Sequence, residues 1–234
     1  IQTLSWDIQK AGFCEVDLVA HCGGSLLGDL IYTLQFVDIK TTWTERVAVL
    51  GKSQHKVFQG IKKVHDELLP FPLLGVDSDN GGEFINAHLL RYCRKNKIVF
   101  TRSRPYMSKD NAHIEQKNYT TVRKILGYDR FDTEEHLQLI NDLYDNELRL
   151  YLNFFQPSLK MVKKVRIGSK YKRKYDEAKT PFQRILASPD ISNERKKRLQ
   201  STYNSLDPVH LLQTIERKIA TIISLNKKSG FLMT

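Results

Sequence analysis

The sequence predicts an α/β fold: a mixed five-stranded sheet flanked by helices, followed by a small, basic, mostly helical C-terminal region. Three observations carry that expectation. Segments patterned for strand and helix follow one another as three strands, a helix, a strand, a helix, a strand and two helices. The turns joining the first three strands are short and polar, which suits an antiparallel meander and leaves no room for crossover helices. The charge is also unevenly placed: residues 1–157 hold 19 Lys/Arg against 20 Asp/Glu, and residues 158–234 hold 18 against 6.

The elements follow in order. Residues 14–20 read as a strand, Gly23-Gly24-Ser25 as a turn, Leu30 to Val37 as a second strand and Trp43 to Val49 as a third. Ser53 is placed to cap a helix running to Leu69, with Val57, Ile61, Val64 and Leu68 as one apolar stripe, and Pro70 and Pro72 stop it. Leu73 to Val76 is a fourth strand that delivers Asp77 and Asp79 to its carboxyl end. Asn86 caps a helix through Lys95, and Ile98 to Thr101 is a fifth strand. A helix is expected from about Asp110 to Leu126. Another runs from Thr133 to Phe155 with Leu137, Ile140, Tyr144, Leu148 and Tyr151 as its core face. This is a ribonuclease-H-like order. Pro157 marks the expected boundary between a core, 1–157, and a basic region, 158–234. In that region short helices are expected around Pro181–Ala187 and Ile191–Leu199, with a longer one over Val209–Leu225.

With 234 residues and 41% hydrophobic residues the chain can bury a real core and is unlike a disordered one. The net charge of +11 and pI near 9.5 point to a polyanionic partner. Three Cys make no complete disulfide set and fit a reducing compartment. Cys14, His21 and Cys22 lack a fourth ligand at zinc spacing and read as ordinary buried groups. There is no apolar run of transmembrane length and no secretion-signal plan, so a cytoplasmic, nucleoid-associated location is expected, with no membrane partner. Because it begins at Ile1 without an initiator Met, the chain is expected to be part of a longer one.

Three carboxylates stand out. Asp17 lies inside the apolar run Val16-Asp17-Leu18-Val19, where a charge is costly to bury unless something positive compensates it. Alternation along a strand sets it on the face opposite Val16 and Leu18. Asp79 opens the turn Asp79-Asn80-Gly81-Gly82 at a strand end, the usual place for ligands in open α/β sheets. Glu115 follows after 35 intervening residues, at a helix start, leaning off the stripe Ile114, Val122, Ile125; Tyr119 and Arg123 extend its surface. Each acid alone reads as a solvated group, and Asp79-Asn80-Gly81-Gly82 alone as an ordinary turn. Together they are what a two-metal phosphoryl-transfer centre needs, and hard carboxylate oxygens suit magnesium or manganese.

The residues resemble the catalytic core of the retroviral integrase superfamily, most closely bacterial insertion-sequence transposases with an integrase core. The stretches that carry the resemblance are Glu15-Val16-Asp17-Leu18-Val19, Tyr32-Thr33-Leu34 through Thr42-Trp43-Thr44-Glu45, Asp77-Ser78-Asp79-Asn80-Gly81-Gly82-Glu83-Phe84, Phe100-Thr101-Arg102-Ser103-Arg104-Pro105-Tyr106 and Asp110-Asn111-Ala112-His113-Ile114-Glu115-Gln116-Lys117-Asn118. It covers about 15–157, and Tyr151-Leu152-Asn153-Phe154-Phe155-Gln156-Pro157 is also typical of such transposases. The resemblance implies that Asp17, Asp79 and Glu115 are both catalytic residues and ligands of two Mg2+ or Mn2+ ions. It further implies DNA cleavage followed by 3′-hydroxyl strand transfer, DNA element ends and target as partners, and a homodimer or larger assembly. The helix-turn-helix modules that generally precede such cores are not in this sequence. A nuclease of the same fold that only hydrolyses, or a silent DNA-binding protein, are the alternatives.

Other residues are weighed beside the triad. Asp77 is a rival ligand or a structural hydrogen-bonding group, and Glu83 a turn residue or a DNA contact. His113 reads as a substrate-contacting or packing residue. Trp43 is either core or a surface on which a base stacks, and Asn80 shapes its turn or meets DNA. Arg102, Arg104, Tyr106 and Lys109, on the loop before Glu115, are expected to meet phosphates and bases, with Tyr119 and Arg123 beyond them. From Lys160 to Lys174 eight of fifteen residues are Lys or Arg. Lys163, Lys164, Arg166, Lys172, Arg173 and Lys174 are read as a surface laid along a nucleic-acid backbone, the plainer alternative being solubility.

Overall fold

The computed structural model describes residues 8, 10–79, 81–84, 87–102, 112–168 and 170–230. Strands β1 (Phe13–Ala20), β2 (Ile31–Asp38) and β3 (Thr44–Leu50) form the antiparallel meander. Strands β4 (Gly75–Ser78) and β5 (Val99–Arg102) add to it in parallel, giving the sheet order β3-β2-β1-β4-β5. Three antiparallel strands followed by two parallel ones, with helices on both faces, make this a ribonuclease-H-like fold.

Helix α1 (Gln54–Lys63) starts where Ser53 accepts the Lys56 amide and runs into a π-helical turn, Val64–Leu68. Its stripe of Val57, Ile61, Val64 and Leu68 is buried against Val16, Leu34, Phe36, Val47 and Val76 of the sheet, and α2 (Ala87–Lys95) adds Leu89 and Cys93. Gly60 lets α1 come this close, since a Cβ there would stand 2.8 Å from Leu34 Cδ2.

The opposite face carries a different interior. Helix α3 (Ala112–Asn118) continues through a π-helical turn, Tyr119–Arg123, into α4 (Lys124–Leu126). Helix α5 (Glu134–Leu143), capped by Thr133, passes through the π-helical turn Tyr144–Leu148 into α6 (Arg149–Phe154). Ile31, Ala48, Leu126, Phe131, Ile140, Leu143, Tyr144 and Leu148 pack together there. His21 belongs to this layer: its Nε2 pairs with Thr33 Oγ1 at 2.8 Å, and Thr33 Oγ1 with Tyr144 Oη at 2.7 Å. Cys14 is buried, Cys22 half-buried, and both are free thiols.

After Pro157 the chain turns back along the core. The Lys/Arg-rich stretch forms an antiparallel hairpin, β6 (Met161–Ile167) and β7 (Lys170–Tyr175), because its cations alternate with Val, Ile and Tyr at the period of a strand. Helix α7 (Pro181–Ala187) places Phe182 and Ile185 against Trp43 and Phe154, and α8 (Asn193–Ser205) brings Tyr203 onto Phe182. Helix α9 (Pro208–Gly230) buries Ile215 and Ile222 beside α5, and its Lys218 bridges Asp142 and Glu147, both at 2.6 Å. Among the described residues no helix is long and apolar enough to cross a membrane.

Candidate active site

The register of the sheet sets Asp17 beside the end of β4. Asp17 projects from β1 on the face opposite Val16, level with Gln35 of β2. On its other side Val16 pairs with Ser78, the last residue of β4, so the chain leaves the strand with Asp79 next in line beside Asp17. The pairing ends at Val16 and Ser78, and the charge of Asp79 acts on Asp17. Asp79 turns its Oδ1 back to accept the Gly81 amide at 2.9 Å, shaping the turn after the strand. Glu115 lies on α3, one turn before Asn118, whose Nδ2 donates to Asp17 Oδ2 at 2.6 Å.

Electrostatics register the same convergence. Burial first, and with it the charges of Asp79 and Glu115, push the Asp17 carboxyl up to about 6, against the opposing pull of the Leu18 amide and Asn118. Like charges near one another, held on different elements, are the condition a bound cation relieves. Among the described residues no group of three His, Cys, Asp or Glu side chains is assembled to hold a metal ion, so the fit is one of charge and donor type.

The floor under these acids is buried and polar. Glu15, 2% exposed, accepts the Ile114 amide at 2.8 Å and so ties the start of α3 to β1. Asp77, level with Glu15, accepts the Thr101 hydroxyl at 2.6 Å. It takes the structural role, inside β4; the strand runs two residues past the predicted end, Val76.

The other singled-out residues fall variously. Trp43 is 2% exposed, donates to Glu45 Oε1 at 2.7 Å and packs edge-on against Phe154, which leaves no face for a base. It is a core residue, because the strand end it occupies is covered by α6 and α7. Arg102 ends β5 half-buried, its guanidinium 5.8 Å from the Phe100 ring centre. Tyr119 is 53% exposed with Lys124 over its ring, and Arg123 stacks over Tyr128. Asn80, Arg104, Tyr106 and Lys109 lie outside the described residues, as do the side chains of His113, Lys163 and Lys164. Arg166, Lys172, Arg173 and Lys174 stand exposed on the hairpin. Sequence reading passed over Asn118, Gln35 and Thr121. The available signal was the spacing Glu115-x-x-Asn118, which sets both residues on one helix face.

No family model matches the chain. It is 40% identical over 179 residues to the uncharacterized protein y4rM of Sinorhizobium fredii, covering 76% of this chain and 51% of that protein. The chain thus spans about half the length of that relative. Among solved structures it is similar to the catalytic core domain of BIV integrase, with 16% identity, 76% of this chain and 96% of that chain covered, and a TM-score of 0.49. It is also similar to the HTLV-2 integrase catalytic core domain in complex with magnesium, at 14% identity, 63% and 90% coverage and a TM-score of 0.46.

Proposed function

We propose that this protein is a metal-dependent polynucleotidyl transferase of the transposase and integrase kind, which cleaves DNA strands and joins a freed 3′-hydroxyl to a target strand. Residues 1–157 carry the chemistry and 158–234 the non-specific grip on DNA. Asp17, Asp79 and Glu115 are the catalytic carboxylates, and the same three would hold Mg2+ or Mn2+. One observation carries the reading: mid-strand Asp17, raised to about 6 chiefly by burial, also feels the charges of strand-end Asp79 and helix-borne Glu115.

When bound, two divalent ions supply activation of the attacking oxygen and stabilisation of the leaving one. The chain's own residues do the rest. Asn118 and the Leu18 amide fix the two oxygens of Asp17. Glu15 holds the first turn of α3 and with it the position of Glu115. Exposed Tyr119 and the hairpin cations offer stacking and phosphate contacts along a strand. Joining two element ends calls for at least two copies of the chain.

A branched oligonucleotide representing a strand-transfer product tests this without requiring end recognition, because attack by its free 3′-hydroxyl reverses the joining step. Folded protein with Mn2+ is expected to resolve the branch. Hydrolysis without resolution would favour a nuclease, and no turnover with either ion would overturn the assignment.

A further inference from the structure

A cavity of about 680 Å3 opens on the same side of the sheet, between the helix that carries Glu115, the hairpin and α9. Four cations line it, Lys117, Lys124, Lys160 and Arg173, against a single carboxylate, Glu216, and aliphatic and aromatic side chains of α6 and α9 supply apolar wall. Val37 lies at its base. Arg46 projects from the sheet on the face of Val37, because it pairs with Gln35, two residues along β2.

Arg46 lies on that face of the sheet without lining the cavity. Its side chain is 1% exposed, and Nε, Nη1 and Nη2 have no hydrogen-bond partner among the described residues. Gln35 beside it accepts the hydroxyl of Thr121, which lines the cavity. Glu45 bonds Arg149 and Trp43 and its charge also acts on Arg46, while Asp176 pairs with Arg184. Four cations against one carboxylate leave the cavity lining with an excess of positive charge, which a bound anion relieves.

We propose that this cavity is a binding site for a small phosphate-bearing ligand. Its volume lies within the usual range for small-molecule sites. Cations at one side and apolar wall at the other suit a nucleoside phosphate, whose base takes the apolar surface; free pyrophosphate shares the anionic chemistry. None of the three acids lines it.

Calorimetry on the full chain in EDTA, with ADP and inorganic pyrophosphate as probes, tests it. Both Lys117→Met and Arg173→Met should weaken binding at least tenfold, and Arg173, exposed on the hairpin, keeps the variant set informative if the Lys117 substitution fails to fold. ADP binding well above pyrophosphate assigns a nucleotide, and equal binding assigns the phosphate alone; either supports the site. No binding of either probe at millimolar concentration, or binding that both folded variants retain, would overturn the proposal and leave a water-filled cavity.

Discussion

Asn118 holds Asp17 from the helix that also carries Glu115: its Nδ2 donates to Asp17 Oδ2 at 2.6 Å. Its Oδ1 is in turn fixed by Gln35 Nε2 at 2.8 Å, and Gln35 Oε1 accepts from Thr121 Oγ1 at 3.1 Å. Since Gln35 is level with Asp17 across the sheet, one relay ties two turns of helix to two strands. Asn118→Ala removes a donor that favours the ionised carboxylate, so Asp17 should titrate higher still. Activity is expected to fall about 10–100-fold, the usual cost of losing a ligand's orienting partner. The acid limb of the pH–rate profile should move to higher pH. A lower rate with an unmoved limb would make Asn118 a packing residue only.

Asp17→Asn, Asp79→Asn and Glu115→Gln should each abolish cleavage and strand transfer while the fold persists. Asp79→Asn and Glu115→Gln also remove a charge that raises Asp17, so in both variants Asp17 should titrate lower than in the parent. Carbon-13 NMR of labelled aspartate reads this directly. An Asp17 titration that ignores both substitutions would separate Asp17 from the other two acids.

The same shift sets a pH dependence of stability. Asp17 titrates near 3.8 when unfolded and about 6 when folded, so between these values the native state holds the extra proton. Stability from this group is full below about pH 4 and is lost as pH rises through 6. Asp17→Asn removes that loss, and at pH 7 without metal it should be more stable by up to about 3 kcal/mol. Thermal melting at pH 4.5 and 7 decides it: the gap between variant and parent should widen at pH 7. An equal gap at both values would refute the linkage.

The sequence made the sheet legible because it rests on local pattern. Alternation around Asp17 and the Pro70 and Pro72 stop place the first four strands to within one or two residues. What pairs at distance was not legible. Trp43 was open to a base-stacking role until Phe154 and Glu45 were seen to enclose it. The Asn118–Gln35–Thr121 relay joins residues up to 86 positions apart. The hairpin was hidden by its charge: Lys and Arg dominate Lys160–Lys174, and its Val, Ile and Tyr spacing emerges only when the two strands are set in register. The π-helical turns likewise interrupt helices whose apolar spacing reads as continuous.

Glu45 and Arg149 provide a test of the scaffold away from the acids. Glu45 is 1% exposed and takes two bonds from Arg149, at 3.0 and 3.1 Å, plus one from Trp43. Arg149 also donates to the Leu68 carbonyl at 2.6 Å, closing the end of the π-helical turn after α1. Arg149→Ala leaves a buried acid short of its partner and should cost about 3–5 kcal/mol. The double variant Glu45→Gln, Arg149→Met should recover part of this. Urea unfolding measures both, and an Arg149→Ala loss below about 1 kcal/mol would mean that water replaces the pair.

The basic hairpin should supply affinity for DNA without regard to sequence. Residues 158–234 carry 18 Lys/Arg against 6 Asp/Glu, and Arg166, Lys170, Lys172 and Lys174 stand exposed on its two strands. Deleting the whole region is a poor test, since Phe182, Ile185, Ile215 and Ile222 are buried against the core and their loss would unsettle it. Changing those four cations to Ser leaves the interior alone and spares Arg173, which lines the cavity. Each phosphate neutralised contributes about 0.9 to the slope of log affinity against log salt. If the four cations each engage one phosphate, the slope should flatten by about 3 to 4 and binding should weaken equally on unrelated duplexes. Fluorescence anisotropy at several salt concentrations reads both quantities. An unchanged slope would move the DNA contact off the hairpin and leave its charge as an aid to solubility.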